Sequence, residues 1–159
     1  KLAGGGVAPL PEMFEEGVKV SLGTDGAASN NCLDMFDTMK ACALIHKFHR
    51  WDPTVMPAQK ALDLATLGGA EALNLRGEVG SIEEGKRADL IVVDLKAPNL
   101  RPIHGKDTVI SNIVYSANGG NVDSTIVDGK ILMKNKRFAS LDPGAVYEGA
   151  ERAAEALTA

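Results

Sequence analysis

Apolar and polar residues alternate most clearly at Val18, Val20 and Leu22, which are separated by Lys19 and Ser21. A period of two places successive side chains on opposite faces of a sheet. β-branched residues fit a pleated, half-buried surface, so this pattern predicts a strand.

Helical spacing of apolar residues predicts three helices around that strand. PEMFEE, residues 11–16, forms a short helix before it. Residues 34–49 form an amphipathic helix that ends before Pro53, because proline forces the preceding residue out of helical geometry. Pro57 fits the first turn of another helix. The apolar stripes of the last two helices are Met35, Met39, Cys42 and His46, and Leu62, Ala65, Gly69 and Leu73.

Short strands and turns follow from Arg76 onward. Leu90 to Val93 and Asn112 to Ser116 are predicted strands, and residues 123–127 are expected to pair with residues 131–134 across the two-residue turn Asp128-Gly129. Asp142 is a plausible N-cap for a final helix with Val146, Ala150, Ala153 and Leu157 on one face.

The composition changes divide the chain into three predicted parts. Residues 1–75 carry the first strand and its helices, residues 76–138 form a β-segment, and residues 139–159 form the C-terminal helix. No internal repeat or low-complexity tract interrupts them.

Composition and charge narrow the function classes. The 159 residues are 45% hydrophobic and 24% charged, which is enough for a packed core. The net charge is −4 and no basic cluster is present, so we expect neither nucleic acid nor a membrane as partner. Cys32 and Cys42 match no disulfide or metal pattern, so a soluble cytoplasmic protein with reduced thiols is expected.

Asp25, just after the predicted strand, is the candidate catalytic or metal-binding residue. The carboxylate stands between Gly23 and Gly26, which allow a sharp turn, and its position suits a metal ligand or a base. The alternative is an ordinary turn or capping aspartate. Ser29 and Asn30 follow on the same loop and either contact a substrate or fix the loop.

Two separated blocks carry a resemblance to a known family. GTDGAASNN, residues 23–31, resembles the last barrel strand of amidohydrolase-superfamily deaminases, most closely the 5-methylthioadenosine/S-adenosylhomocysteine deaminases. VGSIEEGKRADLIVVD, residues 79–94, looks like the re-entry of such enzymes into their small β-sandwich domain. Ala65-Thr66 and residues 69–73 resemble the barrel-closing helix. The implied α/β fold is the end of a metal-dependent (β/α)8 TIM barrel plus part of a composite β-sandwich.

The resemblance also implies an activity and a role for Asp25. The activity is hydrolytic deamination of an adenine nucleoside such as methylthioadenosine or S-adenosylhomocysteine. Asp25 would ligate one divalent metal, with zinc expected and iron or manganese as alternatives, and would accept the proton of the attacking water. Ser29 would contact the nucleoside.

The family's His-x-His pair does not occur in this chain. His46, His49 and His104 lie after Asp25 and are expected to be structural or loop residues. We therefore expect the C-terminal part of a truncated, proteolysed or split enzyme, whose remaining metal ligands lie outside the chain. We also expect bare strand edges and two exposed helix faces to be covered by the N-terminal part of the enzyme or by a second copy. These faces are Met35, Met39 and Cys42, and Leu62, Ala65 and Leu73.

Two alternatives remain open at this point. One is hydrolysis at another ring carbon, as in triazine chlorohydrolases or guanine deaminase. The other is a non-catalytic structural or partner subunit. Measurement of metal content and activity separates them.

Overall fold

The computed structural model describes residues 5–158. Within that range, short helices precede and follow a small antiparallel sheet. The helices are α1 (Leu10–Glu15), α2 (Ala27–Asn30), α3 (Met35–Arg50), α4 (Ala58–Ala65), α5 (Leu67–Ala72), α6 (Lys106–Ser116) and α7 (Pro143–Thr158). The strands are β1 (Leu90–Val93), β2 (Val122–Val127), β3 (Lys130–Lys134) and β4 (Arg137–Phe138), and two 3-10 turns cover Pro98–Leu100 and Gly119–Asn121.

The four strands form one antiparallel sheet in the order β1-β2-β3-β4. Ile126 of β2 lies opposite Leu90 on one side and Ile131 on the other. The β2–β3 turn is Asp128-Gly129, and both residues have positive φ, 50° and 74°, as a two-residue hairpin turn of this kind requires. The predicted hairpin and the predicted strand at residues 90–93 are therefore confirmed.

Helices α3, α4 and α6 pack together and form most of the core. The buried residues come from both sides of residue 76, where the sequence predicted a domain boundary. That boundary stays a prediction. They are Leu10, Phe36, Met39, Cys42, Ala43, Met56, Ala61, Leu64, Leu100, Val114 and Ala117.

Helix α3 forms where its pattern predicted. Asp34 caps it, because the side chain accepts a hydrogen bond from the Phe36 amide at 2.9 Å. The helix ends at Trp51, which adopts a left-handed conformation with φ 53°. Helix α7 also forms as expected, with Asp142 accepting a hydrogen bond from the Gly144 amide at 2.9 Å.

Residues 112–116 are not the strand that the sequence indicated. They form the C-terminal half of α6, in which Val114 is fully buried. A run of four or five apolar residues does not by itself distinguish a strand from a buried helix. The spacing of Val109, Ile110, Ile113 and Val114 is helical, and contacts with α3 and α4 decide the outcome.

Residues 18–22 keep the side-chain alternation of a strand without forming one. Val20 and Leu22 pack against the core, and the Leu22 amide donates to the Leu64 carbonyl at 3.2 Å. A strand is defined by its ladder to a neighbouring strand, and none of the described residues supplies one here. The chain is thus a small α/β fold with an antiparallel sheet, and the barrel remains a prediction.

The helix predicted after Pro57 is interrupted. Thr66, with φ −120° and ψ −92°, separates α4 from α5. Ala61, Leu64 and Ala70 are the buried residues, whereas Leu73 is 70% exposed. The predicted stripe therefore faces the core only in part.

The exposed apolar surface differs from the expected one. Met39 and Cys42 are buried in the core, because α4 and α6 cover that face of α3. The opposite face is open and forms the α3 outer surface, which we define as Leu44, Ile45, Phe48 and Trp51. These side chains, with Val7 and His49, line a groove of about 580 Å³.

Candidate metal and catalytic site around Asp25

Asp25 lies in the irregular segment between residue 17 and α2 and is exposed to solvent. Its φ of 61° places the aspartate itself in the left-handed region, whereas Gly26 has φ −76°. The expectation that the flanking glycines make the sharp turn was therefore wrong, because the aspartate makes it. Aspartate tolerates this conformation better than most residues, at some cost in strain.

One oxygen of the Asp25 carboxylate is fixed by its own backbone. Oδ1 accepts a hydrogen bond from the Gly26 amide at 2.6 Å. The Thr24 hydroxyl donates to the Asp25 carbonyl at 3.1 Å. Within the described part of the chain, Oδ2 accepts no hydrogen bond, so it is available to a ligand or to water.

Asn30 closes the loop that carries Asp25. Its side-chain amide donates to the Thr24 carbonyl at 2.9 Å and to the Cys32 carbonyl at 2.8 Å. The two acceptors lie at opposite ends of the loop, and the amide is partly buried. Of the two roles open from the sequence, Asn30 takes the loop-fixing one here.

Ser29 lies in α2, two residues from the start of that short helix. Its backbone amide donates to the Gly26 carbonyl at 3.0 Å, and its side chain is half-buried. The hydroxyl makes no hydrogen bond to the residues that the structure describes. Contact of Ser29 with a substrate therefore stays a prediction.

Two hydrogen bonds fix the ends of the Asp25 segment. Upstream, the Leu22 amide donates to the Leu64 carbonyl, and Gly68 lies so close to residue 20 that an added Cβ would be 3.0 Å from the Val20 carbonyl oxygen. Downstream, Asp34 Oδ2 accepts the Gly119 amide at 2.6 Å. Sequence analysis missed Gly68 and Gly119, although Asp34 directly before a helix is a recognisable capping signal.

The described residues fit one metal ligand and not a whole site. Zinc sites use three or four protein ligands, and residues 5–158 contain no group of three or more His, Cys, Asp or Glu side chains able to hold a metal. The histidines do not approach Asp25 as a cluster. His46 is buried in the core, and His49 and His104 are exposed.

The cysteines show no sign of a reactive site. Burial raises the pKa of the Cys42 thiol to about 11. Cys32 is half-buried and its thiol donates to the Asp37 carboxylate at 3.4 Å. Both cysteines are free thiols in the structure.

A groove of about 510 Å³ adjoins the Asp25 loop. Its walls include Gly23, Asn30, Cys32 and Leu44, but Asp25 itself is not part of them. The described residues thus present the carboxylate on an open surface. They do not enclose it in a pocket.

Comparison with known proteins identifies the family of this chain. The sequence profile of the Amidohydrolase family matches residues 2–132. The chain belongs to the amidohydrolase family.

Relatives within the family are named as deaminases. The chain is 51% identical over 159 residues to the 5'-deoxyadenosine deaminase of Methanosarcina mazei. The alignment covers all of this chain and 35% of that protein. It is 50% identical over 147 residues to the 5-methylthioadenosine/S-adenosylhomocysteine deaminase of Moorella thermoacetica, over 92% of this chain and 33% of that protein. The chain spans about a third of the length of these relatives.

Solved structures show the same fold. An adenosine deaminase from Xanthomonas campestris with bound zinc matches 92% of this chain and 33% of its own, with a TM-score of 0.87 and 37% identity. An atrazine chlorohydrolase from Arthrobacter aurescens in complex with zinc matches 92% of this chain and 32% of its own, with a TM-score of 0.78 and 27% identity.

Between residues 5 and 158, the structure contains no helix that is both long and apolar enough to cross a bilayer.

Proposed function

We propose that this chain is the C-terminal part of an enzyme that hydrolytically deaminates an adenine nucleoside. The observation that carries the proposal is the Asp25 carboxylate, which is exposed, has one oxygen fixed by Gly26 and leaves the other open. It stands in the segment that resembles the family's metal-ligating strand end. Identity of 51% to a named 5'-deoxyadenosine deaminase supports the nucleoside as the substrate class.

The reaction is the exchange of an exocyclic amine for oxygen. Water adds to the adenine carbon that bears the amine, the carbon–nitrogen bond breaks, and ammonia leaves with a hypoxanthine nucleoside as the other product. Names of the relatives favour a nucleoside with a modified 5' position, such as 5'-deoxyadenosine, methylthioadenosine or S-adenosylhomocysteine.

Asp25 is proposed both as a metal ligand and as the proton carrier. A bound divalent metal, with zinc favoured by the two zinc-containing relatives, would lower the pKa of water and polarise the ring. The carboxylate accepts a proton from the attacking water and delivers it to the departing amine. Its bond to the Gly26 amide keeps the carboxylate oriented during both transfers.

Ser29 is proposed as a substrate contact. Its hydroxyl is left without a partner among the described residues, and the residue lies on the loop that carries Asp25. The ribose or the ring nitrogens of the nucleoside offer groups with which a hydroxyl can form a hydrogen bond.

The remaining metal ligands are proposed to come from another part of the same enzyme or from a second copy. Asp25 alone cannot complete a site that needs three or four ligands. The same additional polypeptide would cover the α3 outer surface and supply strands beside residues 18–22. Free thiols at Cys32 and Cys42 support a cytoplasmic location.

The test uses the longer enzyme that contains this sequence. Ammonia release and the change in ultraviolet absorbance are measured with 5'-deoxyadenosine, methylthioadenosine and S-adenosylhomocysteine. Guanine and a chlorotriazine are assayed separately as alternative substrates, with chloride release measured for the triazine. We expect turnover of the adenine nucleosides. Preferred turnover of guanine or the triazine would overturn the substrate class, and no hydrolysis in a zinc-loaded sample would favour a structural subunit.

A matched pair of variants tests the role of Asp25. Asp25→Asn should lower turnover by about 10²–10⁴-fold, because the base and a charged ligand are lost together. Asp128→Asn makes the same change at an exposed residue with φ 50° in the distant hairpin and should leave turnover unchanged. Wild-type turnover in Asp25→Asn would disprove the assignment.

A further inference from the structure

The Asp25 loop needs a constraint other than a strand ladder to stay in one conformation. Asp25 has a positive φ and is exposed, and no strand ladder holds the segment before it. Left-handed non-glycine residues persist when the surrounding structure over-determines them. The constraint must therefore come from side chains within or beside the loop.

Asn30 supplies that constraint through a single nitrogen. Both hydrogens of its side-chain NH2 are used, one on the Thr24 carbonyl at 2.9 Å and one on the Cys32 carbonyl at 2.8 Å. Thr24 directly precedes Asp25, so the Thr24 carbonyl belongs to the peptide group that joins the two residues. The hydrogen bond to this carbonyl therefore fixes the peptide group whose orientation defines φ of Asp25. Asparagine is short and carries two donors on one atom, a combination that aspartate, serine and leucine lack.

We infer that Asn30 is a positioning residue, which holds the Asp25 carboxylate in its reactive place by tying the two ends of the loop. The inference rests on the proposed function of Asp25. Asn30 does not act on the substrate directly. It acts through the backbone of Thr24, and its amide has no hydrogen left for a ligand.

The size of the effect follows from geometry. A displacement of about 1 Å in a catalytic group can lower the rate by about 100-fold. Loss of Asn30 leaves two carbonyl oxygens without their donor and releases the turn at Asp25, while the core behind α3 is unaffected. The defect should therefore appear in kcat and in loop order, with little change in global stability.

The test compares Asn30→Asp with Asn135→Asp in the longer enzyme. Asn30→Asp is nearly the same size but places a carboxylate against two carbonyls and has no donor. Asn135→Asp adds the same charge at an exposed left-handed residue in the turn between β3 and β4. The three readouts are kcat and KM for a turned-over adenine nucleoside, zinc content, and hydrogen exchange of the Ser29, Asn30 and Asn31 amides.

We expect kcat to fall by about 10- to 100-fold in Asn30→Asp with KM little changed. Exchange of the loop amides should become about tenfold faster or more, because two hydrogen bonds are lost. Exchange in α3 and the urea midpoint should stay near wild type, and Asn135→Asp should match wild type throughout. If Asn30→Asp does not fold, Asn30→Ser, which keeps one donor, should show an intermediate loss of kcat.

Two results would overturn the inference. One is a wild-type kcat in Asn30→Asp. The other is a loss of kcat with unchanged loop exchange and a raised KM, which would make Asn30 a substrate contact. Failure of the wild-type enzyme to deaminate any adenine nucleoside would instead reject the proposed function, and the exchange data would still decide whether Asn30 orders the loop.

Discussion

Asp34 and Gly119 are 85 residues apart in the chain and joined by a hydrogen bond of 2.6 Å from the Gly119 amide to Asp34 Oδ2. The other carboxylate oxygen accepts the Phe36 amide at 2.9 Å and caps α3. One side chain thus begins the helix that follows the Asp25 loop and fastens that loop to the turn before β2. The helical core and the sheet are connected at the edge of the candidate site.

Removal of this carboxylate should destabilise the chain more than removal of an ordinary cap. Asp34→Ala loses the cap, worth about 0.5–2 kcal/mol, and a second bond to a charged group, worth about 1.5–3 kcal/mol. Asp142→Ala, which removes only the α7 cap, is the control and should cost about 1 kcal/mol or less. Urea unfolding measures both, and equal losses would show that the Gly119 bond contributes nothing.

Gly68 and Gly69 offer a matched pair on α5. A Cβ at residue 68 would lie 3.0 Å from the Val20 oxygen and 3.1 Å from the Asp63 oxygen, both backbone atoms. Gly68→Ala should therefore cost about 1–3 kcal/mol, as overpacking does.

The control behaves in the opposite direction. At Gly69 the nearest atom to a new Cβ is the Leu64 oxygen at 3.9 Å. Gly69→Ala should leave stability unchanged or raise it by up to about 1 kcal/mol through helix propensity. Thermal and urea unfolding check both variants, and an unchanged Gly68→Ala would mean that the Val20 segment moves freely away from α5.

His46 should make the stability of the chain depend on pH. Burial, and then the positive charges of Arg50 and His49, lower the pKa of His46 from its usual 6.5. Its Nδ1 is buried and has no hydrogen-bond partner among the described residues. The unfolded chain therefore binds a proton at a higher pH than the folded chain does.

The sign of the effect follows from that difference. The contribution of His46 to the free energy of unfolding is fully present above pH 6.5. It decreases as the pH falls from there through the lowered pKa of His46 in the folded state. Urea unfolding at several pH values between neutrality and mild acid measures the slope. His46→Met should abolish most of it, whereas the exposed His49→Met should retain most of it, because the charge of His49 is the smallest of the three causes. An equal slope in all three proteins would contradict the prediction.

The isolated chain should hold no tightly bound catalytic metal. Asp25 is the single residue that matches a family ligand, and a zinc site needs three or four. Elemental analysis after dialysis against a mild chelator is the measurement. Stoichiometric zinc that is lost in Asp25→Asn would show that the chain carries a site of its own.

The α3 outer surface should drive association of the isolated chain. Phe48 and Trp51 are 78% and 88% exposed, and apolar patches of this kind are uncommon on soluble monomers. Light scattering after size exclusion should show self-association that decreases in Phe48→Glu/Trp51→Glu. Leu157→Glu, a change at an equally exposed residue that does not line this groove, should have no effect. A monodisperse wild-type monomer would contradict the prediction.

Local signals in the sequence determined most of the elements. The apolar stripe of α3, the Asp128-Gly129 turn and the Asp142 cap each act over a few residues, and all three form as predicted. Residues 18–22 and α6 differ because tertiary contacts decide them. A strand needs a neighbour, and the short apolar run at residues 113–115 takes the form that its packing surface imposes.

The candidate site was predictable only in part. A resemblance in residues 23–31 identified Asp25, but spacing could not show that the aspartate itself takes the left-handed turn. The two hydrogen bonds that the Asn30 side chain donates depend on the direction of its amide in the folded loop. Residues 5–158 contain no group of three or more side chains able to hold a metal, so the other ligands of the proposed site stay a prediction.

Trp51 is the sole tryptophan of the sequence, and its ring stacks on Phe48 with centroids 6.0 Å apart at the open end of α3. The tryptophan fluorescence of this chain therefore has one source, placed on the surface that a partner would cover. Burial of that indole shifts its emission to shorter wavelength without any added dye. The chain carries a built-in optical reporter with which reconstitution from separately expressed pieces can be followed in real time.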